Sequence, residues 1–586
     1  MSSSRRVPSV ARAAHRRRSV LLRLRYWHLA VLWAVAASSL IGWGLPSARL
    51  DPLLFGGDPP WPPERYPARA QAQQLSERSA GADTDLNPLE RRDRLIVLTA
   101  DDTARGEILQ RYRLYSRQPD ELITFRALQR MRPAAGDLDP RLYQYGGAYI
   151  YMVGAGLAAA AALGLVRLTS DAGVYLAQPD LFGAFYVTAR VATLAFAPLL
   201  LLGVAKLARR GGGKAAGWAA LLCVAVAPVF LCGALEAKPH LPSACLLLWA
   251  TLAALDYQRR GRPWDALCVG LLVGLAFGFV LTGAVGALLW PALLYWGRAP
   301  LRRRAFDLGL AAAAAALVYV ATNPYVPYNY LFNREAFSSN IGNTTAMYRI
   351  GQFHLGAWRV GELLFESGGA GLVITGLIAW ALLLRERLDR SLAAGAAGLG
   401  MALLAIAIGA GKPAEFARFL LLPTALLAVA AGIVLARAAR EHRKAAALLA
   451  LIVFATMPTY AYLRSFRNDL RLDTETRYAA GRYLAAQIEP GETVGLLQEP
   501  APFSVPPLDF TRLDVLLLPE SPPADASAAL PDWLVFTADD DAPPGAWWRA
   551  HYRLRRRFPD ASERLSPITW ANKAVFVYRR DGVRPP

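Results

Sequence analysis

The chain has 586 residues, 54% of them apolar, and a formal net charge of +20. The apolar fraction exceeds what one soluble core of this length uses, and much of the charge sits in short Arg-rich clusters between Ala/Leu/Val runs, where it reports orientation. Composition therefore points to a polytopic membrane protein and argues against a nucleic-acid partner; Cys223, Cys232, Cys245 and Cys268 all lie within or beside apolar segments, so neither a disulfide framework nor a cysteine metal site is indicated.

In chain order, residues 1–26 read as a basic cytoplasmic N-terminus. The apolar run Trp27 to Leu45 is too long for a signal-peptide core and reads as the first membrane helix. Ten further apolar segments follow, from Phe182–Leu207 through Ala216–Leu235, Leu241–Tyr257, Ala266–Phe279, Leu281–Trp296, Leu308–Thr322, Gly369–Leu384, Leu392–Ala410, Phe419–Ala436 and Ala445–Tyr462. That gives about eleven spans within 27–462, with a bend expected at Phe279–Leu281 because both flanking segments are short. The stretch Tyr145–Val166 is also apolar. If it does not cross, Arg209 to Lys214, Arg259 to Arg262, Arg302 to Arg304, Arg385 to Arg390 and Arg437 to Lys444 all fall inside, as the positive-inside rule requires. It is expected to be a membrane-associated hairpin (145–166) or an interfacial helix within an external loop (46–181).

The same parity puts Pro46–Gln144, Glu236–His240, Asn323–Ser367 and Gly411–Arg418 outside, together with residues 463–586. That last region reads as a small α/β domain, with a helix over Thr474–Ile488 and strands at Thr493–Leu497, Val515–Leu518, Trp533–Thr537 and Ala574–Tyr578. Docking an acceptor and merely capping the membrane domain both remain open for it. The setting is a multi-pass protein of the plasma (inner) membrane, with its site and C-terminal domain extracytoplasmic.

External charged residues at helix mouths are costly unless paired or liganded, so they are the candidates for chemistry. Pro119 suits a first helical position and puts Asp120 and Glu121 in the first turn, where they either complement the helix dipole or act on a substrate. Glu236-Ala237-Lys238-Pro239-His240 forms a tight external turn whose lysine suits a phosphate, or else snorkels. Gly411-Lys412-Pro413-Ala414-Glu415-Phe416-Ala417-Arg418 sets two more cations at another mouth, while Arg190 and Asn323-Pro324-Tyr325 complete the set. A cationic rim around an acid is what an anionic lipid donor requires.

Pro119-Asp120-Glu121, then Ala127-Leu128-Gln129-Arg130-Met131 and Asp139-Pro140-Arg141-Leu142-Tyr143-Gln144-Tyr145-Gly146-Gly147, resemble the first external loop of the GT-C superfamily of lipid-carrier-dependent glycosyltransferases. Ala189-Arg190-Val191, Lys238-Pro239 and Ala417-Arg418-Phe419-Leu420-Leu421-Leu422-Pro423 are similar to its family 39-like branch, which holds the protein O-mannosyltransferases and the lipid A aminoarabinose transferase. His240 stands where relatives often carry Asp, Val280 where a Lys is common, and residues 46–118 look like an insertion.

The resemblance implies a GT-C-like α-helical membrane protein that uses a polyprenyl-phosphate sugar outside the cytoplasm, with a first-loop acid near the reacting centre. On it, Asp120, assisted or replaced by Glu121, accepts the proton of an acceptor hydroxyl on a lipid, glycan or protein, and one displacement inverts the anomeric carbon. Lys238, Lys412 and Arg418 hold the donor phosphate, with Arg190 behind them; Glu236, His240, Asn323 and Tyr325 are candidate substrate contacts. No cofactor is implied; the external turn at Glu236 has no Asp-x-Asp, which weakens a metal-dependent reading while a divalent metal stays open. The rival class is a transporter or lipid flippase, and a non-catalytic scaffold is a third reading.

Overall fold

The computed structural model describes residues 25–67, 95–296, 299–345, 348–519, 530–539 and 545–580. Nearly all of the basic N-terminus and part of the proposed insertion lie outside the described residues. The described chain is mostly helical, with one six-stranded sheet.

Apolar runs become helices where no backbone group can be left to lipid. By length and composition, five helical stretches among the described residues could cross a membrane: Pro179–Ala225, Leu301–Thr322, Leu388–Gly409, Ala414–Glu441 and Arg443–Leu470. A sixth results if Ile350–Gly368 and Ala370–Glu386, bent by 110° at Gly369, count as one span. Gly369 sits at φ +79°, a conformation that a side chain disfavours, so the bend is written into the residue. Tyr26–Ser38, Gly147–Ala162, Pro263–Phe279 and Leu281–Tyr295 are apolar but shorter.

The segment Pro179–Ala225 is not one straight rod. Gly213 is non-helical at φ 82°, and a side chain added at Gly217 would meet the carbonyl of Ala205, so the chain doubles back there. The basic turns collect at that end: Arg440 donates to the Gly212 carbonyl at 3.0 Å, Arg210 pairs with Asp256 at 2.6 Å, and Arg437 pairs with Glu386. At the opposite end, Val280 is extended between Pro263–Phe279 and the turn beginning at Leu281, which is the expected bend. Small residues set helix spacing. A Cβ at Gly270 or Gly274 would lie 2.2 or 2.4 Å from carbonyls of Ala311 and Ala315, so these backbones touch as only small residues allow.

The stretch 145–166 is a single helix, Gly147–Ala162, not a hairpin. It begins at the end where Gly146 donates to Phe279 and runs beside Pro179–Leu194, with Tyr149 on Thr193 and Gly156 facing Thr188. The chain beyond it reaches Gly173, packed on Pro63 of the first loop, so it stays at one end of the bundle. A helix of 16 residues with no internal breaker has no place to reverse, which is why the hairpin reading fails.

The sheet joins two distant parts of the sequence. Its strands are β1 (Ile96–Val97), β2 (Thr493–Leu496), β3 (Asp514–Leu517), β4 (Trp533–Ala538), β5 (Tyr552–Phe558) and β6 (Ala574–Arg580), in the order β1-β3-β2-β4-β6-β5. The pairs β2/β3 and β2/β4 are parallel and the others antiparallel. Helix Thr476–Gln487 covers one face, and its Ala480 and Leu484 share a core with Leu54, Phe55, Leu109 and Tyr112 of the first loop. First loop and C-terminal region therefore bury apolar surface together, as one body over the mouth of the bundle.

Candidate active site

Four segments converge at that mouth. The first brings Asp120, which precedes helix Glu121–Arg130; Pro119 ahead of it and the Gln118 side chain, accepting from the Asp120 amide at 2.9 Å, shape the turn. The second is the turn before helix His240–Arg260, carrying Glu236, Lys238 and His240. The third is the 3₁₀ turn Ala414–Leu420, carrying Glu415 and Arg418. The fourth is a C-terminal-domain loop containing Ile568 and Trp570.

Asp120 is the meeting point. Its Oδ2 lies 2.6 Å from an Arg418 guanidinium nitrogen and 3.1 Å from Lys238 Nζ. Lys238 is also 3.4 Å from Glu236 and 3.9 Å from Glu415, and Arg418 is 3.6 Å from Glu415. Burial alone would raise the Asp120 carboxyl, but Lys238 and Arg418 outweigh it and hold it well below the usual carboxylate range. Glu236 goes the other way: burial pushes it up to about 6, with Glu121 and Glu415 adding to the rise and Lys238 opposing it. Lys238 is raised despite its burial, because Asp120 and Glu236 favour its charge.

A narrow cleft opens on Glu236, Lys238, His240, Glu415, Arg418 and Ile568. A second narrow space shares His240 and Arg418 and continues along Ala244, Met401, Phe419 and Leu422. His240 stands between the rings of Tyr145 and Phe419, 9% exposed, and its Nε2 has no hydrogen-bond partner. The arrangement joins a cationic head to an apolar continuation.

The other residues singled out from sequence are placed differently. Glu121 is fully buried in a bidentate pair with Arg190, 2.7 Å on each oxygen, and also accepts from the Ala237 amide at 2.8 Å and Ser116 Oγ at 2.6 Å. Arg190 also donates to the carbonyls of Ile41 and Trp43. Both side chains are engaged on every side. Lys412 stands over the Phe416 ring at 5.5 Å, the ring that Arg418 also faces at 4.9 Å. Asn323 accepts from the Gly147 amide at 2.6 Å, tying two helix ends together, and Tyr325 accepts from the Leu138 amide at 2.9 Å. Sequence reasoning passed over Glu415, Tyr145 and Trp570; Glu415 was visible three residues before Arg418, whereas nothing local marks Trp570.

No family model matches the chain, and no curated protein matches it. Among solved structures, ArnT from Cupriavidus metallidurans bound to undecaprenyl phosphate is similar at 15% identity and a TM-score of 0.40, over 87% of this chain and 98% of that one. The archaeal oligosaccharyltransferase AglB from Archaeoglobus fulgidus, in complex with an inhibitory peptide and a dolichol-phosphate, is similar at 15% identity and a TM-score of 0.38, over 73% of this chain. This chain spans 62% of the length of that archaeal protein. At these scores the likeness gives no residue a role.

Proposed function

We propose that the chain is a membrane glycosyltransferase that moves a sugar from a polyprenyl-phosphate donor to an acceptor hydroxyl, with Asp120, Lys238 and Arg418 at the reacting centre. One observation carries this reading: a first-loop carboxylate is gripped by two cations from two other segments, at the head of a cleft that continues between apolar side chains. Two cations facing a cleft suit a phosphate, and the apolar continuation suits the chain attached to it.

The acceptor oxygen attacks the anomeric carbon, the bond from that carbon to the phosphate oxygen breaks, and its electron pair leaves on the phosphate. Lys238 and Arg418 stabilise that growing charge, while Asp120 takes the hydroxyl proton. Without donor, the same two cations make Asp120 a weak base. A phosphate that draws them away raises its basicity as the reaction is set up. A single displacement inverts the anomeric carbon. Glu121 and Arg190 hold the Asp120 turn in place, and Glu236 and His240 border the donor. In this reading the chain makes eleven passes, with the basic turns in the cytoplasm and the site outside the plasma membrane.

The test is product formation by purified protein given labelled polyprenyl-phosphate sugars, comparing wild type with Asp120→Asn. Transfer by the wild type that falls steeply in the variant is expected. Full transfer by correctly folded Asp120→Asn would remove acid-assisted chemistry from this turn, and solute uptake without any glycosyl product would move the chain to the transporter class.

A further inference from the structure

Glu415 is an awkward neighbour for a phosphate site. Its carboxylate lies 3.6 Å from Arg418 and 3.9 Å from Lys238, the two cations that already share Asp120. A second carboxylate that closed onto them would compete with the donor and repel it. What stands against that closure is a side chain from the C-terminal domain. The indole Nε1 of Trp570 donates to Glu415 Oε2, the same oxygen that faces Lys238.

Trp570 is itself firmly placed. Its carbonyl accepts from Arg477 at 3.0 Å, its ring meets Phe503 edge-on at 5.7 Å, and Lys573 Nζ stands over its ring at 4.9 Å. The loop on either side is bolted to the membrane domain, by Ser566 on Ser465 at 3.0 Å and by the Asn572 amide on Asp469 at 3.0 Å. Ile568 of the same loop lines the cleft. The turn that carries Glu415 is held from the same side, since the Ala414 amide donates to Asp539 and Asp539 pairs with Lys573.

We infer that Trp570 is a positioning residue: it satisfies Glu415 with a neutral hydrogen-bond donor and so keeps Lys238 and Arg418 available for the donor phosphate. Trp570 thereby sets donor affinity without lining the cleft itself. The inference rests on the phosphate reading of Lys238 and Arg418, and the experiment separates the two.

Binding of undecaprenyl phosphate to detergent-solubilised protein is measured for wild type, Trp570→Phe, Glu415→Gln and the double variant, with Lys238→Ala as a control for the site. Phe keeps an aromatic ring but loses the N–H together with the pyrrole part of the indole, so folding is checked by thermal melt. Trp570→Phe is expected to weaken binding about tenfold, as loss of one charge-assisted partner allows. In the Glu415→Gln background the same change is expected to have less than a twofold effect, because a neutral amide no longer competes for the cations. A merely structural role for Trp570 predicts the same loss in both backgrounds, and that result overturns the inference, as does an unchanged affinity in Trp570→Phe. If Lys238→Ala weakens binding and Trp570→Phe does not, only this inference falls; if Lys238→Ala binds as wild type, the phosphate reading falls with it.

Discussion

Two ionic clusters lie close together in this molecule and differ in one respect. In the first, Asp469 takes Arg117 on one oxygen at 2.6 Å and Arg477 on the other at 3.2 Å, while Glu475 takes Arg477 at 2.6 Å and Arg117 at 3.4 Å. The remaining valences go to the amides of Asn572 and Tyr478 and to the carbonyls of Phe503 and Trp570, and no side chain of the four is more than 6% exposed. In the second, Lys238 and Arg418 border a cleft and share Asp120, which is 21% exposed, and the Nε of Arg418 is unpartnered. A closed network has no capacity for a ligand and can only hold segments together, here the first loop, helix Thr459–Leu470 and the C-terminal domain. An open one carries the same charges with valence to spare.

The sharpest way to break this comparison is to remove one charge from each cluster. Asp120→Asn keeps size and hydrogen-bonding capacity, so the expected loss is roughly 10²- to 10⁴-fold in turnover with the folded protein intact. Turnover of the variant at saturating donor checks it, and near-wild-type rates would put the proton acceptor elsewhere. Arg477→Ala does the reverse. Removing one partner of a buried network leaves Asp469 and Glu475 to share Arg117 alone and should cost about 3–5 kcal/mol. A large fall in the midpoint of thermal unfolding is expected, and activity should fall only in proportion to the folded fraction. A variant that melts like wild type would show that this network is dispensable.

Around the open cluster, the two cations paired with Asp120 should matter most. Lys238→Ala and Arg418→Ala each remove a charge-assisted contact and should weaken donor use by about 1.5–3 kcal/mol. Lys412→Ala, standing on Phe416, should cost less than either, and Lys444→Ala at the other end of the bundle should leave donor KM unchanged. Equal KM values for all four variants would dissolve the cluster as a phosphate site.

How much of this was legible follows from which patterns are local. Apolar runs and their Arg-rich turns were readable because helix packing in lipid leaves a signature in every segment, and the turns at Gly213 and Arg259 to Gly261 fall where the basic clusters predict. Strands β2, β3, β4 and β6 were found by their β-branched and aromatic runs. Strand β5 was missed, since Tyr-Arg-Leu-Arg-Arg-Arg-Phe is too charged to read as a strand. The dipeptide β1 has meaning only through its partner more than 400 residues away. Asp120 and Glu121 are adjacent in sequence, yet one meets two cations that line a cleft and the other is sealed by Arg190. No local pattern distinguishes them, because the distinction lies in which distant residues arrive.

The smallest expected effect tests the electrostatics of the open cluster through Glu236. This carboxyl faces Lys238 and Arg418 among cations and Glu121 and Glu415 among anions, and its value is about 6 in the folded protein against an ordinary 4.5. A carboxyl raised on folding binds its proton more tightly in the native state, so its contribution is fully present below pH 4.5 and is lost as pH rises through about 6. That gap corresponds to about 2 kcal/mol. The depressed carboxyl of Asp120 acts in the opposite sense and at lower pH, its stabilisation being lost as pH falls below the ordinary aspartate range, so the two effects separate on the pH axis. Thermal unfolding followed from pH 4.5 to 7 should therefore show wild type losing ground against Glu236→Gln, whose amide cannot ionise. Parallel curves for the two proteins across that window would mean that Glu236 titrates as an ordinary carboxylate, and that the cluster is more open to water than its burial implies.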